Sequence, residues 1–222
     1  MIFSNAVVIG KVLNLFSVLL LVAAIAVVAN LRIASVIRAY GAQGFALAAM
    51  TALIAYSTGR EHIYAIALAG LVIKAVLIPT ILTRIVRNLK IKHDIEPFLS
   101  VPLSVLVCGL LVVLAYFVAE PFESAGLGLI PNLLAISVSL VLIGCFVMII
   151  RKKAITQVIG LLTMENGIFL SALATTFGMP LIVELGIFFD LLLGAIIFGL
   201  FAYRIKETFD HLDTTRLQSL KG

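Results

Sequence analysis

Lys74, Glu165 and Asp190 sit inside apolar runs long enough to cross a bilayer, and Glu184 lies six residues before Asp190. A charge at the bilayer centre costs about 2.5–3.5 kcal/mol on insertion scales, and it is retained where it faces a protein interior or a wet cavity. The chemistry such groups support is proton or ion movement. A desolvated carboxyl exchanges protons nearer neutral pH, and a desolvated lysine shifts the other way until a carboxylate adjoins it. Lysine alternating with carboxylates is therefore a workable proton wire. Glu165 stands eleven residues into one run and Asp190 nine into the next. With a rise of about 1.5 Å per residue, consecutive antiparallel helices bring both to a similar depth, and Lys74 has a comparable place in the third run. Glu184 is rotated by about 600° from Asp190, so it faces another side, as an outer mouth or at headgroup level. The competing reading is a set of buried pairs that fixes helix register. Gln43 and Asn166 read as helix–helix hydrogen-bonding residues. Pro79, five residues after Lys74, reads as a kink that frees a backbone carbonyl.

The elements that must position these groups are membrane spans. Of the 222 residues, 63% are hydrophobic and only 12% charged, with a mean hydropathy of +1.23. A soluble domain is about one quarter charged. Apolar runs at about 12–30, 34–57, 63–86, 100–118, 130–150, 154–176 and 181–204 each supply the ~20 residues that cross a ~30 Å hydrocarbon core. Unpaired backbone is costly in lipid, and the runs lack the alternation of a barrel, so they are helices. The expected fold is all-α, a polytopic bundle of seven transmembrane helices. The first run continues to about Asn30 without a basic n-region, which predicts a retained helix rather than a cleaved signal.

The basic residues set the topology. Arg32, Arg38, Arg84, Arg87, Lys90, Lys92, Arg151, Lys152, Lys153, Arg204, Lys206, Arg216 and Lys221, 13 of the 16 Lys and Arg, fall on one side. Positive-inside then predicts the N-terminus out and the C-terminus in. The fourth connection, on the outer side, carries Glu120 and Glu123. A gapless shift of 119 residues places Arg32 on Arg151, Gly41 on Gly160, Gly59 on Gly178 and Asp94 on Asp213. This fits a parallel three-helix repeat: residues 1–95 and 129–222, joined by a linking transmembrane helix in 96–128. The acids are not repeated, since Ala46 stands opposite Glu165 and Leu71 opposite Asp190.

Other chemistries find little support. The net charge of +5 is spread over short connections, a topology signal rather than a nucleic-acid surface. Cys108 and Cys145 have no CxxC partner, and His62, His93 and His211 fall at segment ends or in the tail. The expectation is small buried thiols, no metal or cofactor in this chain, and no catalytic centre.

Gly160-Leu161-Leu162-Thr163-Met164-Glu165-Asn166-Gly167, then Val183-Glu184-Leu185-Gly186-Ile187 and Asp190, resembles hydrogenase-4 membrane component E, the K-type membrane subunit of group 4 NiFe-hydrogenase and formate hydrogenlyase complexes. The resemblance extends to Ile73-Lys74-Ala75-Val76-Leu77-Ile78-Pro79 and to Leu212-Asp213 and Leu220-Lys221-Gly222. The last three helices also resemble the three-helix K subunit of respiratory complex I, with Arg151, Gly160, Leu161 and Asn166 in register. Asp190 falls on the second of that family's membrane glutamates. The first falls on Leu162, one helical turn from Glu165. The resemblance implies antiporter-like and other membrane-arm partners and a hydrophilic NiFe-hydrogenase arm with iron–sulfur subunits. It implies a place in a bacterial or archaeal inner membrane, with Glu165, Asp190, Lys74 and Glu184 in proton or ion translocation. A stand-alone cation or small-solute transporter and a purely structural scaffold are the alternatives.

Overall fold

Long apolar runs with few breakers leave the backbone one way to satisfy its own hydrogen bonds, and all regular elements among the described residues are helices. The computed structural model describes residues 2–59, 61–88, 98–125, 132–176 and 194, with side chains described from residue 9 onward and residue 62 excepted. Apart from residue 194, the seventh expected span, with Glu184 and Asp190, lies outside the described residues.

The helices are α1 (Ile2–Ala29), α2 (Ile33–Thr58), α3 (Glu61–Gly70), a π-helical stretch (Leu71–Leu77), α4 (Ile78–Asn88), α5 (Val101–Ser124), α6 (Leu133–Ile150) and α7 (Ala154–Thr176). Among the described residues six spans are long and apolar enough to cross a membrane, with α3, the π stretch and α4 forming one of them, Ile63–Asn88. The protein is a multi-pass membrane protein. The fourth span runs past its expected end at 118 to Ser124, so Glu120 and Glu123 belong to the last turns of α5 rather than to a connection. Pro121 permits this because it removes one N–H near the end, and the Ala125 N–H still donates to Pro121 O at 3.1 Å.

The helix ends follow local chemistry. Gly59, at φ +66°, closes α2 in the left-handed region and donates its N–H to Ala55 O. Arg32 breaks the α1–α2 connection with extended backbone (φ −99°, ψ 123°), and Arg151 does the same between α6 and α7 (φ −100°, ψ 129°). These two connections lie at one end of the bundle: Arg151 Nη2 donates to Val28 O at 2.6 Å, Asn30 O at 3.1 Å and Val27 O at 3.2 Å. The start of α5 joins them there. Phe98 N–H donates to Ile150 O, and Lys152 Nζ stands 4.7 Å from the centre of the Phe98 ring.

The chain divides into two compact units, Met1–Gly186 and Ile187–Gly222, and all the helices named above belong to the first. Within it, the α1–α2 and α6–α7 hairpins pack together through α1 on α6 and α2 on α7. The span containing the π stretch lies against α2, and α5 lies against α6 and α1. Tyr40, Met50 and Ile54 from α2 and Leu140, Ile143 and Val147 from α6 are buried. In contrast α5 turns Leu106, Leu110 and Phe117 outward, as expected of a helix bordering lipid or another subunit. Lipid tails are as apolar as leucine, so helix contact depends on close backbone approach. Gly167 supplies one: a Cβ there would lie 2.7 Å from Ser137 O on α6.

Candidate ion-pair site within the membrane spans

The face of α7 that carries Leu162, Glu165, Asn166 and Phe169 follows the i, i+3, i+4, i+7 spacing of one helix side. Leu162, Glu165 and Asn166 are all buried. Lys74, in the π stretch, meets this face. Its Nζ lies 2.7 Å from Glu165 Oε1 and donates to Asn166 Oδ1 at 3.2 Å. It also stands 5.5 Å from the centre of the Phe169 ring, within cation–π range. Both charged side chains are 5% exposed.

Asn166 links the pair to α2. An ammonium group has no acceptor, so the amide must present Oδ1 to Lys74, which turns Nδ2 toward Gln43. Asn166 Nδ2 then donates to Gln43 Oε1 at 3.2 Å. The result is an ordered line of polar groups from Gln43 through Asn166 and Lys74 to Glu165. It joins three spans, each near its midpoint. The expectation that Gln43 and Asn166 bond helix to helix is met directly.

Two backbone features bring Lys74 this far in. Pro79 lacks an N–H and its ring crowds the carbonyl one turn earlier. The helix widens ahead of it into the π stretch, where Ile78 N–H donates to Ile73 O, so the expected kink takes the form of an inserted residue. Across from it, Gly44 lets α2 approach the lysine backbone: a Cβ on Gly44 would lie 2.8 Å from the Lys74 carbonyl carbon. Gly44 had no part in the sequence-based site. A small residue beside a polar one within an apolar run was the available signal.

Glu165 and Lys74 are thus brought together, while Asp190 and Glu184 fall outside the described residues. Cys108 is buried, as expected. Cys145 is only half-buried and its Sγ lies 3.4 Å from Met164 Sδ. Among the described residues no cluster of metal-ligating side chains occurs. Arg151 differs most from its sequence-based role: counted as a topology charge, it is only 1% exposed and caps the end of α1.

Comparison with known proteins bears on what this arrangement serves. No family model matches the chain, and no solved structure matches it. An uncharacterized protein of Mycobacterium tuberculosis is 30% identical over 203 residues, 91% of this chain and 92% of that protein. Hydrogenase-4 component E of Escherichia coli K12 and that of Shigella flexneri are each 27% identical over 184 residues, 82% of this chain and 85% of theirs. Near full-length similarity to both, in a chain that carries the intramembrane lysine and glutamate in contact, places it: the chain belongs to the membrane-protein family that includes the mycobacterial protein and hydrogenase-4 component E.

Proposed function

We propose that this chain is a membrane-arm subunit of an energy-converting, complex I-like NiFe-hydrogenase assembly in a bacterial or archaeal cell membrane. Hydrogen and electron chemistry belong to a hydrophilic arm with iron–sulfur subunits, with formate oxidation attached in a formate hydrogenlyase. Antiporter-like subunits are the membrane neighbours, and this chain works without a catalytic centre or cofactor of its own. Lys74 and Glu165, continued by Asp190 and Glu184 in the seventh span, form a section of polar axis that relays protons or ions during hydrogenase turnover. The N-terminus faces out and the C-terminus in. Residues 1–95 and 129–222 are parallel copies around the linking helix in 96–128, and the matching backbone at Arg32 and Arg151 supports that duplication.

The observation that carries this reading is the Lys74–Glu165 contact at 2.7 Å in mid-span. Across such a distance a proton passes between nitrogen and oxygen with little heavy-atom movement. The pair switches between charged and neutral forms in response to charge nearby. Glu165→Gln and Asp190→Asn, introduced into the assembled complex, are expected to lower proton translocation per hydrogen turned over while the complex still assembles. Wild-type coupling in both variants would reject the relay.

A scaffold role is the second reading, favoured by the tight approach of α2 at Gly44. It expects neutralising substitutions to weaken assembly or do nothing, never to reduce coupling alone.

A further inference from the structure

An open groove of about 660 Å³ lies between α2 and the span that carries Lys74. Its midspan part is apolar, formed by Gly41, Ala75 and Pro79, and its far part is lined by Arg38, Arg84 and Arg87. All three arginines are exposed. Among the described residues none has a carboxylate partner, and Arg38 Nη2 donates only to the neutral Ser35 Oγ at 3.2 Å. Among the described residues no acid lines the groove.

We propose that this groove binds one anionic phospholipid, with the phosphate held by Arg38, Arg84 and Arg87 and an acyl chain laid along Gly41, Ala75 and Pro79. The dimensions fit. Nine residues, about 14 Å of helix rise, separate Ala75 from Arg84, which is close to the hydrocarbon depth of one leaflet. The groove opens outward, where the neighbouring Val76 is 58% exposed, so it is reached from the acyl region rather than from water alone. The arginines stand in the last turns of α4 and the first turns of α2, at the basic end of the bundle where headgroups lie. Guanidinium forks match phosphate oxygens, and basic pockets between transmembrane helices select anionic headgroups. A free phosphate would use the arginines but leave the apolar part unfilled. The acyl chain is what makes the whole groove a site.

The experiment uses the full chain, purified in mild detergent, and counts retained phosphatidylglycerol against phosphatidylcholine by native mass spectrometry. The wild-type chain is expected to retain one phosphatidylglycerol preferentially. Each arginine removed lowers that preference about fivefold, so Arg38→Gln with Arg84→Gln and Arg87→Gln lowers it about 100-fold. A control removes the same charge elsewhere at this end, through Arg32→Gln, Lys152→Gln and Lys153→Gln, and is expected to keep the bound lipid. Thr80→Phe fills the groove without touching a charge and is expected to abolish retention, which also serves should the triple arginine variant fail to fold. Equal loss in the control would reduce the site to diffuse surface attraction and overturn the proposal. Retention by Thr80→Phe would overturn it, as would displacement by millimolar inorganic phosphate. A wild-type chain with no lipid preference, alone and in its complex, would also overturn it, leaving an acidic protein segment as the occupant.

Discussion

Two buried cations in this molecule are compensated in opposite ways. Lys74 lies in mid-span against a carboxylate, an amide oxygen and an aromatic ring. Arg151 lies at the end of the bundle and is held by three backbone carbonyls of the α1 terminus, with no acid among its hydrogen-bond partners in the described residues. The carbonyl end of a helix carries about half a negative charge, so α1 is a fixed counter-charge for the guanidinium. The lysine's counter-charge can take up a proton, and the arginine's cannot. A buried cation facing dipoles is a fastening, whereas one facing a titratable acid can change state. Of the two regions, the Lys74 region is the one whose groups suit the proposed relay.

The largest expected effect separates charge from counter-charge. Glu165→Leu takes away the carboxylate 2.7 Å from the buried Lys74 ammonium, a change that costs about 3–5 kcal/mol in comparable buried pairs. Adding Lys74→Met removes the opposing charge as well and is expected to recover most of that loss, since apolar replacement of a whole pair is often neutral or stabilising. Unfolding of the reconstituted chain by denaturing detergent measures both. If the double variant is as unstable as the single one, the ion pair is not the relevant unit, and the contrast with Arg151 fails.

Arg151→Met comes next. It removes three charge-assisted hydrogen bonds from Nη2 and leaves the α1 carbonyls unpaired, offset in part by the loss of Nη1, a buried donor with no hydrogen-bond partner among the described residues, for an expected loss of about 2 kcal/mol. Arg151→Lys keeps the charge but not the planar fork, and is expected to recover about half. Burial lowers the Arg151 guanidinium from its usual value. A base whose folded pKa is lowered carries a folding penalty at every pH below that folded value, relieved only above it. A guanidinium stays protonated throughout the usable range, so stability attributable to Arg151 should be level from about pH 5 to about pH 9. A slope that disappears in Arg151→Met would show that this cation titrates after all.

The same contrast shows what the sequence carries and what it leaves out. Apolar runs locate the six described spans because lipid enforces both their length and their helicity, although α1 begins at Ile2 rather than near 12 and α5 ends at Ser124 rather than 118. Lys74 and Glu165 stand out by type alone, since little else explains a charge at that depth. Their contact is not legible, because it depends on the rotation of two helices about their axes. A π insertion before Pro79 changes that rotation by one residue without any periodic signal. Arg151 was read as a topology charge because a basic residue in a short connection looks the same whether it faces water or caps a neighbouring helix. Its partners are carbonyls, which every residue has.

Gly44 offers a smaller test. A valine there would drive its Cβ into the Lys74 backbone, at 2.8 Å from the carbonyl carbon, so one helix must move. Overpacking of this kind costs about 1–3 kcal/mol. The displacement should also lengthen the Lys74–Glu165 contact, so a disulfide trap between α2 and the π stretch should form more slowly in Gly44→Val. An unchanged trapping rate would mean that α2 does not hold the lysine in place.

The smallest effect concerns the far end of the polar line. Gln43→Leu removes the acceptor for Asn166 Nδ2, and interhelical hydrogen bonds within membranes average about 0.6 kcal/mol. It also removes Gln43 Nε2, a buried donor with no hydrogen-bond partner among the described residues, which offsets part of that loss. Stability should therefore change by less than about 1 kcal/mol. The informative measurement is Asn166 itself. Held at one end only, its amide is free to rotate, and its contact with Lys74 should loosen while the Lys74–Glu165 pair persists. An amide signal from Asn166 that is unaltered in Gln43→Leu would show that the lysine alone orients this side chain. Gln43 would then belong with the fixed fastenings, as Arg151 does, and not with the groups proposed to respond to a proton.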